Sequence, residues 1–122
     1  MSKRVLMIED HEDNRRILRD LLTSKGYDVI EADNGVDGVN AAESFGPDLI
    51  LMDIQLPGID GYEATRRIKA NSETRKIPII VMTSYALSGD DTKAFEAGCD
   101  AYVTKPFSPR VILTKIRECG LP

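Results

Sequence analysis

The sequence lacks long apolar runs, has few cysteines and shows no excess of positive charge. No run approaches the ~18 apolar residues of a transmembrane helix, so we predict no membrane association. The two cysteines, Cys99 and Cys119, do not form a metal-type pair, and no signal-peptide pattern begins the chain, which favours the cytoplasm. Sixteen basic residues against 20 acidic ones give a net charge of −4, which argues against a nucleic-acid binder.

What is present is ordinary globular composition. The chain has 122 residues, of which 42% are hydrophobic and 30% are charged. This size and composition predict one domain, residues 1–122, with a core that needs no disulfides.

Five short apolar runs alternate with segments of helical periodicity. The runs lie at residues 4–8, 28–32, 48–53, 77–82 and 100–103. Repeated β-α alternation predicts an α/β fold, a doubly wound five-stranded parallel sheet with five helices on its two faces. Such a sheet opens a ligand crevice at the carboxyl ends of its strands, where the strand order reverses.

Helical spacing and capping residues predict where the helices lie. The first helix is indicated by Ile17, Leu18, Leu21 and Leu22, and the second by Val36, Val39 and Phe45. The third is predicted at residues 62–70. Ser88 followed by Asp91 indicates the start of the fourth helix, and Ser108-Pro109 the start of the fifth.

Acidic residues follow two of the predicted strands. The run at residues 48–53 ends on Asp53, and the run at residues 4–8 is followed by Glu9 and Asp10. If these strands are neighbours, three carboxylates converge at one edge of the sheet. Like charges that close raise one another's pKa unless a cation compensates them, and a hard divalent cation with oxygen ligands would do so.

Two further polar residues follow the last two strands. Thr83 comes after the fourth strand, and Lys105 comes after the fifth. A parallel sheet brings both to the edge that holds the acids. The carboxylates could then bind a metal, while the ammonium and the hydroxyl contact an anionic, phosphoryl-like group.

These residues resemble a known family. Glu9-Asp10, the segment Leu51-Met52-Asp53-Ile54-Gln55-Leu56-Pro57-Gly58-Ile59-Asp60-Gly61, Thr83 and Lys105-Pro106 are similar to the receiver domain of bacterial two-component response regulators. The resemblance spans the whole chain and is to the stand-alone, chemotaxis-type members. It implies a flavodoxin-like sheet with strand order 2-1-3-4-5.

The resemblance also implies a chemistry. Asp53 would accept a phosphoryl group from a phosphohistidine on a sensor histidine kinase or a histidine phosphotransfer protein. Asp10, Asp53 and the backbone carbonyl of Gln55 would bind Mg²⁺ directly, and Glu9 would bind it through water. Lys105 would pair with a phosphoryl oxygen. No turnover of an external substrate is expected.

A conformational switch is implied as well. The Thr83 hydroxyl would move to the phosphoryl group, Tyr102 would turn inward, and the Lys105-Pro106 peptide bond would be cis. A downstream protein would then bind the face formed by helix four, strand five and helix five. The chain would be a monomer or a phosphorylation-dependent dimer.

Several residues near the site are interpreted more simply. His11 is expected to be an exposed loop histidine, and Arg15-Arg16 a solvated helix face. Two residues depart from the family pattern, in which aspartate is usual at position 9 and alanine or glycine at position 84. This chain has Glu9 and Ser84, which bear on the metal waters and on phosphoryl lifetime.

Other functions fit the sequence less well than that of a receiver. A Mg²⁺-dependent phosphatase with an aspartyl-phosphate intermediate needs an acid two residues after the nucleophile, where this chain has Gln55. A flavodoxin-like FMN site is disfavoured because residues 9–13 are mostly acidic and would repel phosphate. A P-loop motif is absent. A receiver fragment of a larger hybrid kinase or transcription regulator stays open.

Overall fold

The computed structural model describes residues 3–84 and 90–121. Strands and helices alternate along the chain: β1 Arg4–Ile8, α1 Glu12–Ser24, β2 Asp28–Ala32, α2 Gly35–Phe45, β3 Leu49–Asp53, α3 Gly61–Ala70, β4 Ile79–Thr83, α4 Asp90–Ala97, β5 Ala101–Thr104 and α5 Pro109–Glu118. The strands form one sheet in the order β2-β1-β3-β4-β5, and every neighbouring pair is parallel. The predicted fold class and strand order are confirmed.

The apolar runs locate the strands closely. The predicted ranges 4–8 and 28–32 coincide with β1 and β2. Strand β4 begins at Ile79, two residues later than predicted, because Pro78 has no N–H to donate to the sheet. The Pro78 carbonyl still accepts a hydrogen bond from the Ile50 N–H at 2.9 Å.

The core lies on both faces of the sheet. Alternate residues of the buried strands point to opposite sides. Val5, Leu49 and Leu51 pack with residues of α1 and α5 on one face. On the other face, Leu6 and Ile50 pack with residues of α2, α3 and α4. All five residues of β3 are buried, so Asp53 ends a strand that is covered on both sides.

Helix α2 is present as predicted, but the apolar residues that indicated it do not form its buried face. Val36 and Phe45 are 45% and 51% exposed, and Val39 is only half-buried. Gly35, Gly38 and Ala42 face the core instead. A Cβ atom at Gly38 would lie 2.5 Å from Cδ1 of Ile8, so the close approach of α2 to β1 selects small residues.

The remaining helices largely follow their sequence signals. In α1, Leu18 and Leu22 are buried, but Ile17 is 62% exposed and does not belong to the core. The Ser108 hydroxyl caps α5 by accepting a hydrogen bond from the Val111 N–H at 3.4 Å. Ser88, predicted to begin α4, lies outside the described residues. Within residues 3–84 and 90–121, no helix has the length and apolarity needed to cross a bilayer.

Candidate functional site

The predicted site residues meet at the edge of the sheet where the strands end, which we call the carboxyl edge. Ile8 of β1 pairs with Met52 of β3, so the residues that follow them, Glu9 and Asp53, end adjacent strands. Asp53 pairs in turn with Met82 of β4, one residue before the buried Thr83. The Thr83 carbonyl accepts a hydrogen bond from the Lys105 N–H at 2.6 Å, which joins the ends of β4 and β5.

An ammonium group connects the two buried acids. Lys105 Nζ lies 2.8 Å from Oε1 of Glu9 and 3.4 Å from Oδ2 of Asp53. The Glu9 side chain is fully buried and that of Asp53 is 6% exposed. The Asn14 amide also donates to Oε1 of Glu9, at 3.1 Å. The buried Glu9 carboxylate is therefore held by donors from α1 and from the end of β5.

The two acids differ in charge. Burial, a hydrogen bond with Glu9 and the Glu9 charge raise the pKa of Asp53 to about 7, although Lys105 opposes the shift. Burial alone would raise the pKa of Glu9, but hydrogen bonds with Asp53 and Lys105 outweigh it and lower that pKa to about 2. Burial would lower the pKa of Lys105, yet its bond to Glu9 and the nearby acids raise it. Near neutral pH, Asp53 thus exchanges its proton readily while Glu9 is ionised.

The donor set fits a divalent cation. One ligand atom from each of Glu9, Asp10, His11 and Asp53 can be chosen so that all lie within 4.8 Å of one another. Oδ1 of Asp10 is buried and accepts no hydrogen bond from any described residue. A buried carboxylate oxygen that accepts no hydrogen bond is a suitable ligand for a hard cation. Gln55 lies in the loop after β3, and the role of its carbonyl stays a prediction.

The start of α3 fixes the loop that follows Asp53. The Gly61 N–H donates to the Ile54 carbonyl at 2.8 Å. A Cβ atom at position 61 would lie 2.2 Å from the Asp53 carbonyl oxygen and 2.7 Å from Cα of Ile54. Both are backbone atoms, which cannot move away as a side chain can. Only glycine at position 61 therefore allows the start of α3 to pack this closely against the end of β3.

The sequence interpretation missed a contact of Arg15. Arg16 is 61% exposed, as expected, but Arg15 is only 14% exposed. Nη1 of Arg15 donates to the backbone carbonyl of Glu9 at 2.8 Å, and Nε lies 3.4 Å from Oε1 of Glu31. Its position on the first turn after the acidic loop was the available signal, since this turn can reach back to the loop.

The predicted switch residues lie at or near the carboxyl edge, and their switching roles stay predictions. Thr83 is 1% exposed, and Tyr102 is half-buried against the core face that contains Val81. The Lys105–Pro106 bond is cis, as predicted. Ser84 is exposed and lines a cavity of about 560 Å³ together with Glu9, Lys105 and residues of α1 and of the loop after β5.

The fold and the carboxyl edge define a CheY-like α/β protein, and comparisons specify the family. The family profile of the response regulator receiver domain matches residues 5–117. A curated relative, the polar-differentiation response regulator DivK of Brucella anthropi, is 44% identical over 115 residues, which cover 93% of this chain and 94% of DivK. The chain therefore belongs to the response regulator receiver domain family.

Solved structures agree with this assignment. The receiver domain of the sensor histidine kinase PA1611 from Pseudomonas aeruginosa aligns with a TM-score of 0.91 and 36% identity, over 99% of this chain and 100% of that one. Magnesium is coordinated in the active-site cleft of that domain. A CheY-like receiver domain protein from Methanospirillum hungatei aligns with a TM-score of 0.88 and 32% identity, over 97% and 93% of the two chains.

Proposed function

We propose that this chain, as a single receiver domain over residues 1–122, is a phosphoacceptor that takes its phosphoryl group on Asp53. The donor is a phosphohistidine of a sensor histidine kinase or a histidine phosphotransfer protein. The observation that carries the proposal is the position of Asp53, buried at the end of β3 with its carboxylate 3.4 Å from the Lys105 ammonium. Phosphoryl transfer depends mainly on positioning and charge neutralisation, and this edge supplies both.

The carboxylates of Asp10 and Asp53 and the Gln55 carbonyl would hold Mg²⁺, with Glu9 acting through water. When bound, the ion supplies the positive charge that lets an anionic nucleophile approach an anionic phosphoryl group. Asp53 must first lose its proton, which its pKa of about 7 permits at neutral pH. Lys105 then donates a hydrogen bond to a phosphoryl oxygen.

The new phosphoryl group would bias a switch built from Thr83, Tyr102 and Pro106. The Thr83 hydroxyl moves to the phosphoryl oxygens, and Tyr102 turns inward. A downstream protein binds the face of α4, β5 and α5. Phe95 of α4 and Val111 of α5, which are 52% and 41% exposed, support such a contact. We further propose that the chain acts in the cytoplasm, as a monomer or a phosphorylation-dependent dimer, and turns over no external substrate.

Intact mass after incubation with acetyl phosphate tests the proposal. We expect a mass increase of one phosphoryl group with Mg²⁺ and none when the ion is chelated. The variant Asp53→Asn should not be labelled, whereas the control Asp48→Asn, just before the opposite end of β3, should be labelled normally. Labelling of Asp53→Asn would refute the assignment, and repeated turnover of a phosphate ester would favour a phosphatase.

A further inference from the structure

We propose that His11 adds a nitrogen ligand to the carboxyl edge, so that the site also binds borderline divalent cations such as Zn²⁺ or Co²⁺. This inference rests on the proposed function, because it concerns the same metal site. It assigns to this chain a selectivity that carboxylate and carbonyl oxygens alone would not give.

The imidazole points toward the acids. Nδ1 of His11 lies 3.1 Å from Oδ1 of Asp10 and 3.6 Å from Oε2 of Glu9. Two ligands of a tetrahedral zinc ion, each at about 2.1 Å from it, are about 3.4 Å apart. The ligand atoms of the set that includes His11 and Asp53 lie within 4.8 Å of one another, so the farthest pair would need to approach by about 1.4 Å to bind one ion.

The backbone of His11 is fixed while its ring remains movable. Its N–H donates to Oε2 of Glu9 at 3.3 Å, and its carbonyl accepts from the Arg15 N–H at 3.0 Å. His11 is the N-cap residue of α1, yet its side chain makes no capping hydrogen bond. Since the ring is 68% exposed, it can rotate toward an ion without disturbing the core.

The chemistry of the added ligand predicts which ions respond to it. Imidazole suits zinc, cobalt and nickel, whereas carboxylate and carbonyl oxygens suit magnesium and calcium. Loss of His11 should therefore weaken Zn²⁺ binding strongly and Mg²⁺ binding little. Loss of Asp10, which lies within the same cluster, should weaken both.

Calorimetric titration of the whole chain with ZnCl₂ and, separately, MgCl₂ tests this at about pH 8. His11→Asn should lower Zn²⁺ affinity by about tenfold or more and Mg²⁺ affinity by less than about threefold. Asp10→Asn should lower the affinity for both ions. His11 is the only histidine in the sequence, so its imidazole NMR signals are unambiguous. They should shift with Zn²⁺ and not with Mg²⁺.

Two results would overturn the inference. Unchanged Zn²⁺ affinity in His11→Asn would show that the ring is not a ligand. Undiminished Zn²⁺ affinity in Asp10→Asn would show that the ring binds the ion apart from the acids. Labelling of the unmodified chain by acetyl phosphate with Mg²⁺ tests the proposed function separately, so the two hypotheses can fail independently.

Discussion

Two buried carboxylates of similar chemistry differ in charge because their neighbours differ. Hydrogen bonds with Asp53 and Lys105 stabilise the anion of Glu9. Burial and the neighbouring Glu9 raise the pKa of Asp53, and the Lys105 ammonium at 3.4 Å opposes only part of that shift. An acid with a pKa near 7 can exchange its proton for another positive charge at neutral pH. This property suits a carboxylate that must bind a cation and then act as a nucleophile.

The pKa of this single residue predicts that the affinity of the site for Mg²⁺ depends on pH. The Asp53 carboxylate must be ionised to bind a metal. Below its pKa of about 7, affinity should fall by up to about tenfold per pH unit, and above it affinity should level off. Glu9, with a pKa of about 2, should add nothing over this range. Calorimetric titration between about pH 5.5 and 8.5 measures the effect. A constant affinity in that interval would contradict it, and Asp53→Asn should lose this pH dependence.

The sequence predicted which residues form the site but not their contacts. Polar residues directly after buried strands indicated the acids, Thr83 and Lys105, because parallel strands end at one edge. The inward turn of Arg15 and the direction of the His11 ring depend on distances within the folded chain. The proton on Asp53 likewise depends on a lysine that contacts Glu9 across 96 positions of sequence. Local pattern carries no information on contacts of this kind.

At the scale of elements, buried runs define the strands well and helix faces less well. The five strands could be located because a strand covered on both sides needs a nearly continuous apolar run. Helix α2 was located, but its core face was not predicted, because that face is made of glycine and alanine, which contribute little to apolar periodicity. Gly38 is selected by the closeness of Ile8, and only the packed structure reveals that closeness.

The contact between α3 and the end of β3 gives a second prediction. Gly61→Ala should lower the free energy of unfolding by about 1–3 kcal/mol, since its Cβ would meet the Asp53 backbone. It should also lower Mg²⁺ affinity, because the displaced segment carries Asp53. Gly38→Ala is the matched control, as its Cβ would meet the Ile8 side chain rather than backbone. Urea denaturation and calorimetric titration measure the two effects.

The control separates positioning from packing. Gly38→Ala should also lower stability, because its Cβ would meet the buried Ile8 side chain, but it should leave Mg²⁺ affinity within about twofold of wild type. Equal losses of Mg²⁺ affinity in both variants would show that general loosening of the fold explains the effect. Unaltered affinity in Gly61→Ala would show that this glycine does not position the site.

For the whole molecule, the buried acids at the carboxyl edge serve the proposed function but lower the stability of the fold. Glu9 and Asp53 are kept away from water at the ends of β1 and β3, whose other buried residues are apolar. Ionising both acids there is unfavourable, and a single lysine compensates only part of the charge. The folded chain is therefore expected to gain stability whenever one negative charge is removed or a cation is bound.

This conflict predicts that Asp53→Asn stabilises the chain at alkaline pH. The ordinary aspartate pKa is 3.8 and the folded value is about 7, so between these values the unfolded chain ionises Asp53 and the folded chain does not. The contribution of Asp53 to the free energy of unfolding therefore falls as pH rises through this window. The lowered pKa of Glu9 acts in the opposite direction, but only as pH falls from 4.5 towards about 2.

Urea denaturation without divalent cations measures the outcome. At about pH 8, Asp53→Asn should be more stable than wild type by about 1–3 kcal/mol, and the difference should shrink towards zero near pH 4. Asp20→Asn, at an exposed position on α1, is the control and should show no such trend. If Asp53→Asn were instead less stable at pH 8, the ionised carboxylate would be favourable in the fold. This result would refute the hypothesis that ionising both acids at the carboxyl edge is unfavourable. It would also refute the assignment of a proton to Asp53 at neutral pH.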